Sequence, residues 1–283
     1  MKYFSATYTD FVKFNKKPNE DFHLISKKHQ IFIIADGVTQ SQFLAGKYKG
    51  EYAFPAGAKM AAQIFCQSVL EFLEKNFNSK KKKFEVLIKQ AFDSVNQKIR
   101  KLNIHEGLDR RLNYLEYDLF DTVGIVGFIS GNSIYYGYVG DCGLVIFDKN
   151  NKLKFQTDND VLLAVKRAKK IYKNWQSFLQ EKQTLIFHRD FRNNPNGEGY
   201  GSFSGEDGVK KYYKINKKVL EPGDLVIFYS DGFINYFKFK KFIEILRKQD
   251  KKTLNNFSLT KAKENHKKYG TDRTLISFIF QPK

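Results

Sequence analysis

The chain has 283 residues, 42% of them hydrophobic, with 49 Lys and Arg against 30 Asp and Glu for a net charge of +19. That length can bury a substantial layered core, the apolar stretches are strand-sized rather than membrane-spanning, and two cysteines make no disulfide framework. The first 14 residues carry Asp10 and Lys13 and lack the apolar centre of a signal peptide, so a cytoplasmic location is expected.

In chain order, residues 22–26 and 31–35 read as two strands joined by the hairpin-length Lys27-Lys28-His29-Gln30. Residues 40–52 have little periodicity and read as a loop. Pro55 stands where a first helical residue should, and Ala58, Ala61, Ala62, Phe65, Val69, Phe72 and Leu73 then keep helical spacing. Phe84, Leu87, Ile88, Ala91, Phe92, Val95, Ile99 and Leu102 form a second, clearer stripe. Residues 122–129, 133–139 and 144–147 read as strands, and Ser130-Gly131-Asn132 and Gly140-Asp141-Cys142-Gly143 as hairpin turns, so this block is expected to be an antiparallel meander. Residues 160–179 are helical in pattern, and residues 192–208, rich in Gly, Asn and Ser, read as an irregular flap. Residues 212–215 and 224–229 return to strand, 239–246 and 259–267 to helix, and 274–280 to a last strand.

This order lacks the βαβα alternation of a parallel sheet, so antiparallel sheets with helices packed outside are expected. With no internal repeat and no Pro- or Gly-rich linker, residues 1–283 read as one domain. The positive charge is read as a solvated lysine surface rather than a nucleic-acid or membrane footprint, though such a field still attracts phosphorylated molecules.

The chemistry lies in the acids. The apolar run 31–35 ends in Asp36-Gly37, the run 225–229 leads through Ser230 to Asp231-Gly232, and Asp272 precedes the run 274–280. Asn19-Glu20-Asp21 lies upstream and Gly140-Asp141 in mid-chain. An Asp-Gly pair alone is a common turn, but neither of these opens an alternating apolar strand. Carboxylates at strand ends suit hard divalent cations, which take oxygen ligands. One aspartate can bridge two such ions roughly 3.5–4 Å apart, and a shared water then becomes hydroxide near neutral pH and can attack phosphorus in line. A glycine after the ligand lets its carbonyl approach an ion closely.

As a set, Asn19-Glu20-Asp21, Ala35-Asp36-Gly37, Val139-Gly140-Asp141, Pro222-Gly223-Asp224 with Tyr229-Ser230-Asp231-Gly232, and Asp272 with Thr274 resemble the metal-dependent protein phosphatases of type 2C, bacterial branch. The resemblance runs through nearly the whole chain. It implies an α+β fold, an α/β/β/α sandwich of two antiparallel sheets flanked by paired helices, around a Mn2+ or Mg2+ centre of two ions. Asp36 would bridge both ions and the Gly37 carbonyl would bind one of them. Asp231 and Asp272 would bind the other, and Glu20 would act through water with Asp21 beside it. Asp141 would serve the third, weaker site found in many members. The implied activity is phosphoserine/phosphothreonine protein phosphatase, with a metal-bridging hydroxide as nucleophile and a phosphorylated protein as substrate. Asp158 is a further acidic position to compare.

Three departures stand out. The family's phosphate-gripping arginine is Lys16 here, a point charge without bidentate geometry. Arg273 follows Asp272 where the family has Asn, and is expected either to replace the lost cation in part or to face solvent. Cys142-Gly143 stands for the usual Ser-Arg, with Cys142 expected as a small buried turn residue near the metals.

Rival chemistries fit less well. A cysteine phosphatase needs Arg six residues after Cys, but Phe72 and Asp148 follow Cys66 and Cys142. Asp118-Leu119-Phe120-Asp121-Thr122 superficially resembles a haloacid-dehalogenase nucleophile motif, but the apolar strand follows instead of preceding it. There is no P-loop and no zinc spacing among the five histidines. His188, beside Arg189 and Asp190, reads as part of a surface cluster. The competing reading is a catalytically weak or inactive protein of this fold acting as a basic binding module.

Overall fold

The computed structural model describes residues 2–9, 18–39, 57–76, 83–108 and 118–282. Lys16 and the loop at 40–52 lie outside them. Two five-stranded sheets form, and every pairing is antiparallel. One has the order β2 (Asp21–Ser26), β3 (Ile31–Gly37), β4 (Thr122–Ser130), β5 (Ser133–Val139), β8 (Lys214–Val219). The other has the order β1 (Tyr3–Tyr8), β10 (Arg273–Ile279), β9 (Leu225–Tyr229), β6 (Gly143–Phe147), β7 (Leu153–Gln156).

Strand periodicity builds the layers. In β3, Ile31, Ile33 and Ala35 face α1 (Gly57–Asn76) and α2 (Phe84–His105), packing against Phe65, Val69, Ile88 and Phe92. The alternate residues, Phe32 and Ile34, point into the space between the sheets, against Phe228, Ile276 and Phe278. The Phe32 ring lies 4.7 Å from Phe278 and 5.5 Å from Phe228. The far face of the second sheet, with Leu225, Ile227 and Leu275, packs on Phe233, Tyr236, Phe242 and Leu254. Of these, Phe242 lies on α5 (Lys240–Lys248) and Leu254 on α6 (Lys251–Glu264). The result is the expected four-layer α+β sandwich.

The antiparallel meander expected over 122–147 holds only in its first half. Ser130-Gly131-Asn132 turns β4 into β5, but residues 140–142 carry the chain out of that sheet, and β6 pairs with β9 and β7 in the other. Gly140 adopts φ +83°, and a Cβ there would strike the Val123 side chain, so the crossover needs glycine.

The helix expected over 160–179 is also interrupted. Asn159 caps α3 (Asp160–Ile171) by accepting the Leu162 amide at 2.7 Å. The chain then turns through Trp175, which is buried among Ala164, Ala168, Ile186, Phe191 and Tyr200, and continues as α4 (Gln180–Phe191). These two helices form an arm beside the strand ends.

Residues 192–208 are not a flap. Ser202 and Phe203 are buried, the Phe203 amide donates to the Thr122 carbonyl at 2.8 Å, and the Asn193 side chain donates to Ser202 O and Ser204 Oγ at 2.9 Å each. A Cβ on Gly199 would fall on the Phe191 carbonyl oxygen. The small residues that looked like loop composition are there for close packing.

Candidate metal centre

The strand ends bring the expected acids together. Asp36 closes β3 directly opposite Asp21 on β2. The Gly37 amide donates to the Glu20 carbonyl at 3.2 Å, and Thr122 Oγ1 donates to the Asp36 carbonyl at 2.6 Å. Glu20 is buried, with Oε2 accepting from Thr39 Oγ1 at 2.5 Å. Its amide donates to Asp272 Oδ2 at 3.1 Å, tying the β2 entrance to the β10 entrance of the other sheet. Asp231 begins a 3-10 turn just after β9, and Asp141 lies on the crossover between sheets.

Glu20, Asp36, Gly37, Asp141, Asp231 and Asp272 all line one cavity of about 600 Å3. The same cavity is also lined by Val161 and Val165 of α3, Trp175, Phe187 of α4, and Tyr200, with Gln183, Thr184 and His188 among them. Asp21 lies beneath the wall rather than on it. Its Oδ2 accepts from Ser230 Oγ at 2.8 Å, while its Oδ1 is buried with no hydrogen-bond partner among the described residues.

Electrostatics show how close these acids stand. Burial, then the neighbouring Asp231 charge, pushes the Asp141 carboxyl up to about 8. Burial pushes Asp21 up to about 7 despite the Ser230 and Thr274 hydrogen bonds, with Asp272 and Asp231 adding repulsion. The Cys142 thiol is driven well up by burial and then by the charges of Asp36 and Asp141. Among the described residues, no three of His, Cys, Asp or Glu are drawn into a closed cation cluster.

The sequence profile of the family described as protein phosphatase 2C matches residues 14–262. The chain belongs to the protein phosphatase 2C family. Solved structures with the same fold include the serine/threonine phosphatase PstP/Ppp of Mycobacterium tuberculosis (14% identity, TM-score 0.63, covering 98% of this chain and 97% of that one). A structure of the PstP catalytic domain in complex with two manganese ions is also similar (14% identity, TM-score 0.61, 98% and 96%). A third is a bacterial serine phosphatase (14% identity, TM-score 0.64, 100% and 99%). No curated protein matches the sequence.

For a protein phosphatase 2C, the donor set is chemically apt. The acids on the cavity offer oxygen only, the class preferred by Mg2+ and Mn2+. Carboxylates that raise one another's pKa, with an orphaned buried oxygen on Asp21, lack positive charge. A bound divalent cation would supply it.

Of the three departures, Arg273 differs from both expected outcomes. Arg273 neither faces solvent nor serves the cavity. It is buried, donates to Ser258 Oγ at 2.9 and 2.8 Å and to the Thr271 carbonyl at 2.7 Å, and lies 5.0 Å over the Tyr8 ring. Cys142 is buried as expected, but on the crossover between sheets rather than in a hairpin turn, and close enough to Asp36 and Asp141 to feel their charge. Asp158 lines a separate surface hollow with Tyr136, Tyr138 and Lys214. Lys16 lies outside the described residues.

His188 is not a surface residue. It is 5% exposed, and its Nδ1 lies 2.5 Å from Asp118 Oδ2. Arg192 donates to Asp118 Oδ1 at 2.9 Å and to Asp121 Oδ2 at 3.4 Å, and Ser202 Oγ donates to Asp121 Oδ2 at 2.7 Å. The Asp118-to-Asp121 motif thus builds a buried ionic cluster behind the cavity. The motif is visible in the sequence, but partners 70 and 74 positions away are not.

Proposed function

We propose that this chain is a Mn2+- or Mg2+-dependent phosphoserine/phosphothreonine protein phosphatase working as a single domain. The observation that carries the reading is that acids from distant segments line one cavity: Glu20, Asp36, Asp141, Asp231 and Asp272. In this reading Asp36, the Gly37 carbonyl, Asp231 and Asp272 would hold two cations, Glu20 and Asp21 would act beside them, and Asp141 would support a third. When bound, the cations would neutralise phosphoryl charge and acidify a water for in-line attack on phosphorus. Lys16 is proposed as the phosphate contact.

The protein's own contribution is positional. Strand pairing and the Glu20 amide hold the acids together, and the apolar arm residues that share the cavity would limit water around the reacting group. The arm, rather than residues 192–208, is proposed to shape which phosphorylated segment enters. Two buried free cysteines suit a reducing compartment, so we place the activity in the cytoplasm. Among the described residues, no helix is long and apolar enough to cross a membrane.

The test is release of phosphate from phosphothreonine and phosphoserine peptides with added Mn2+ or Mg2+. Activity lost on chelation and restored by metal supports the reading. Inactivity with both metals, together with salt-sensitive RNA binding, would support the basic binding module instead.

A further inference from the structure

The acids are not the only chemistry in the cavity. His188, on α4, lines it together with them. The imidazole is held from behind, with Nδ1 committed to Asp118. Nε2 has no hydrogen-bond partner among the described residues, so it is the nitrogen a molecule in the cavity can address. Asp118 is itself clamped by Arg192, which also reaches Asp121 and, through Nε, lies 3.3 Å from Glu206 Oε2. An imidazole carried on a helix and held from behind by a carboxylate, with its other nitrogen left open, is what a positioned proton donor requires.

The geometry points to His188 as the general acid that protonates the departing seryl or threonyl oxygen, with Asp118 as its positioning residue. This rests on the phosphatase reading above. In the step, the P–O bond to the side-chain oxygen breaks and its electron pair stays on that oxygen, which takes the Nε2 proton. The oxygen of the attacking water forms the new P–O bond and releases its proton to solvent. The imidazole regains its proton from solvent, leaving alcohol and inorganic phosphate.

Charged groups surround the His188 imidazole. Behind it stand Asp118 and Asp121 with the single cation of Arg192 and the carboxylate of Glu206. Glu20, Asp36, Asp141, Asp231 and Asp272 line the same cavity, as does Tyr200. Against the burial that would raise it, Arg192 and then His188 hold the Asp118 carboxyl well below the usual carboxylate range, so it stays an anion. The arm therefore brings a proton donor to the site as well as an apolar cover.

The experiment compares leaving groups. Wild type, His188→Gln and Asp118→Asn are assayed with Mn2+ on a phosphothreonine peptide, whose alkoxide needs a proton, and on p-nitrophenyl phosphate, whose phenolate leaves unaided. Loss of a general acid costs roughly 100-fold or more on the peptide, and the loss should exceed that on the aryl ester by at least about tenfold. Mn2+ affinity, read by titration calorimetry, should stay close to wild type in His188→Gln. If His188→Gln does not fold, Asp118→Asn must show the same split to a smaller degree. Variants that fall equally on both substrates, or not at all, or that lose Mn2+ binding, overturn the assignment of His188 alone. A wild type inactive on both substrates sinks the phosphatase reading and this inference with it.

Discussion

The Glu20 amide donates to Asp272 Oδ2 at 3.1 Å across 252 residues of chain. The Glu20 carbonyl in turn accepts the Gly37 amide at 3.2 Å. One short segment is thereby tied to β3 in the first sheet and to the entrance of β10 in the second. The acids share a cavity because the two sheets are joined at that point, and Asp21 repeats the join by accepting from Ser230 Oγ.

The Asp231 assignment can be tested directly. Changes to groups that merely support ligands cost roughly 10–100-fold in metal affinity, so Asp231→Asn should weaken Mn2+ binding at least about as much and remove most of the turnover. Calorimetric Mn2+ titration and turnover at limiting Mn2+ measure both. Near-wild-type turnover there would contradict its role as a ligand.

Arg192 should be structurally critical. Its side chain is fully buried among Asp118 and Asp121. Removing one partner of a buried ion pair leaves the other charge uncompensated, so Arg192→Met should cost about 3–5 kcal/mol. Urea unfolding measures it, and a loss under 1 kcal/mol would show that the cluster does not hold the arm to the sheet.

The same cluster sets two opposing pH dependences. Asp118 is held below its ordinary range, so its contribution is full above its unfolded pKa of about 3.9 and fades as pH falls below that value. Asp121 is pushed up by burial to about 6, so its contribution is present at low pH and lost as pH rises through about 6. In chemical unfolding from pH 3 to 7, Asp118→Asn should flatten the loss on the acid side. Asp121→Asn should remove the decline toward neutral pH. Acid sensitivity unchanged in Asp118→Asn would contradict the assignment.

Much of this site was legible because an acid meeting a short apolar run is a local signal. Residues 31–37 and 225–232 announce both a buried strand and the group at its end, whatever lies elsewhere. The sheet crossover at Asp141 was not legible, because Gly140-Asp141-Cys142-Gly143 has hairpin composition and only the pairing of β6 with β9 decides otherwise. The arm was half visible. Residues 160–171 show the helical stripe, but the turn after Ile171 depends on Trp175 finding a pocket made by α3, α4 and Tyr200. The Asp118–His188–Arg192 cluster spans up to 74 positions and leaves no periodic trace. Burial of β1 rests largely on Phe4 and Ala6, and β7 is a four-residue, mostly exposed edge, so neither stands out in the sequence.

Gly140 offers a test of the crossover itself. Its φ of +83° and the Val123 side chain beneath it both oppose a methyl group. Gly140→Ala should destabilise the fold by about 1–3 kcal/mol and weaken whatever cation site Asp141 serves. Thermal unfolding with and without Mn2+ reads both effects. An alanine variant as stable as wild type would mean that the chain can cross between sheets without this conformation.

A metal-dependent phosphatase built on the gathered carboxylates needs both those acids and the cation. The most direct measurement is phosphate release from a phosphothreonine peptide by wild type and Asp36→Ala, each assayed with Mn2+ and after chelation. Turnover is expected only for wild type with metal, with chelation reversible on adding Mn2+ back. Turnover that survives chelation, or an Asp36→Ala protein as active as wild type, would contradict it.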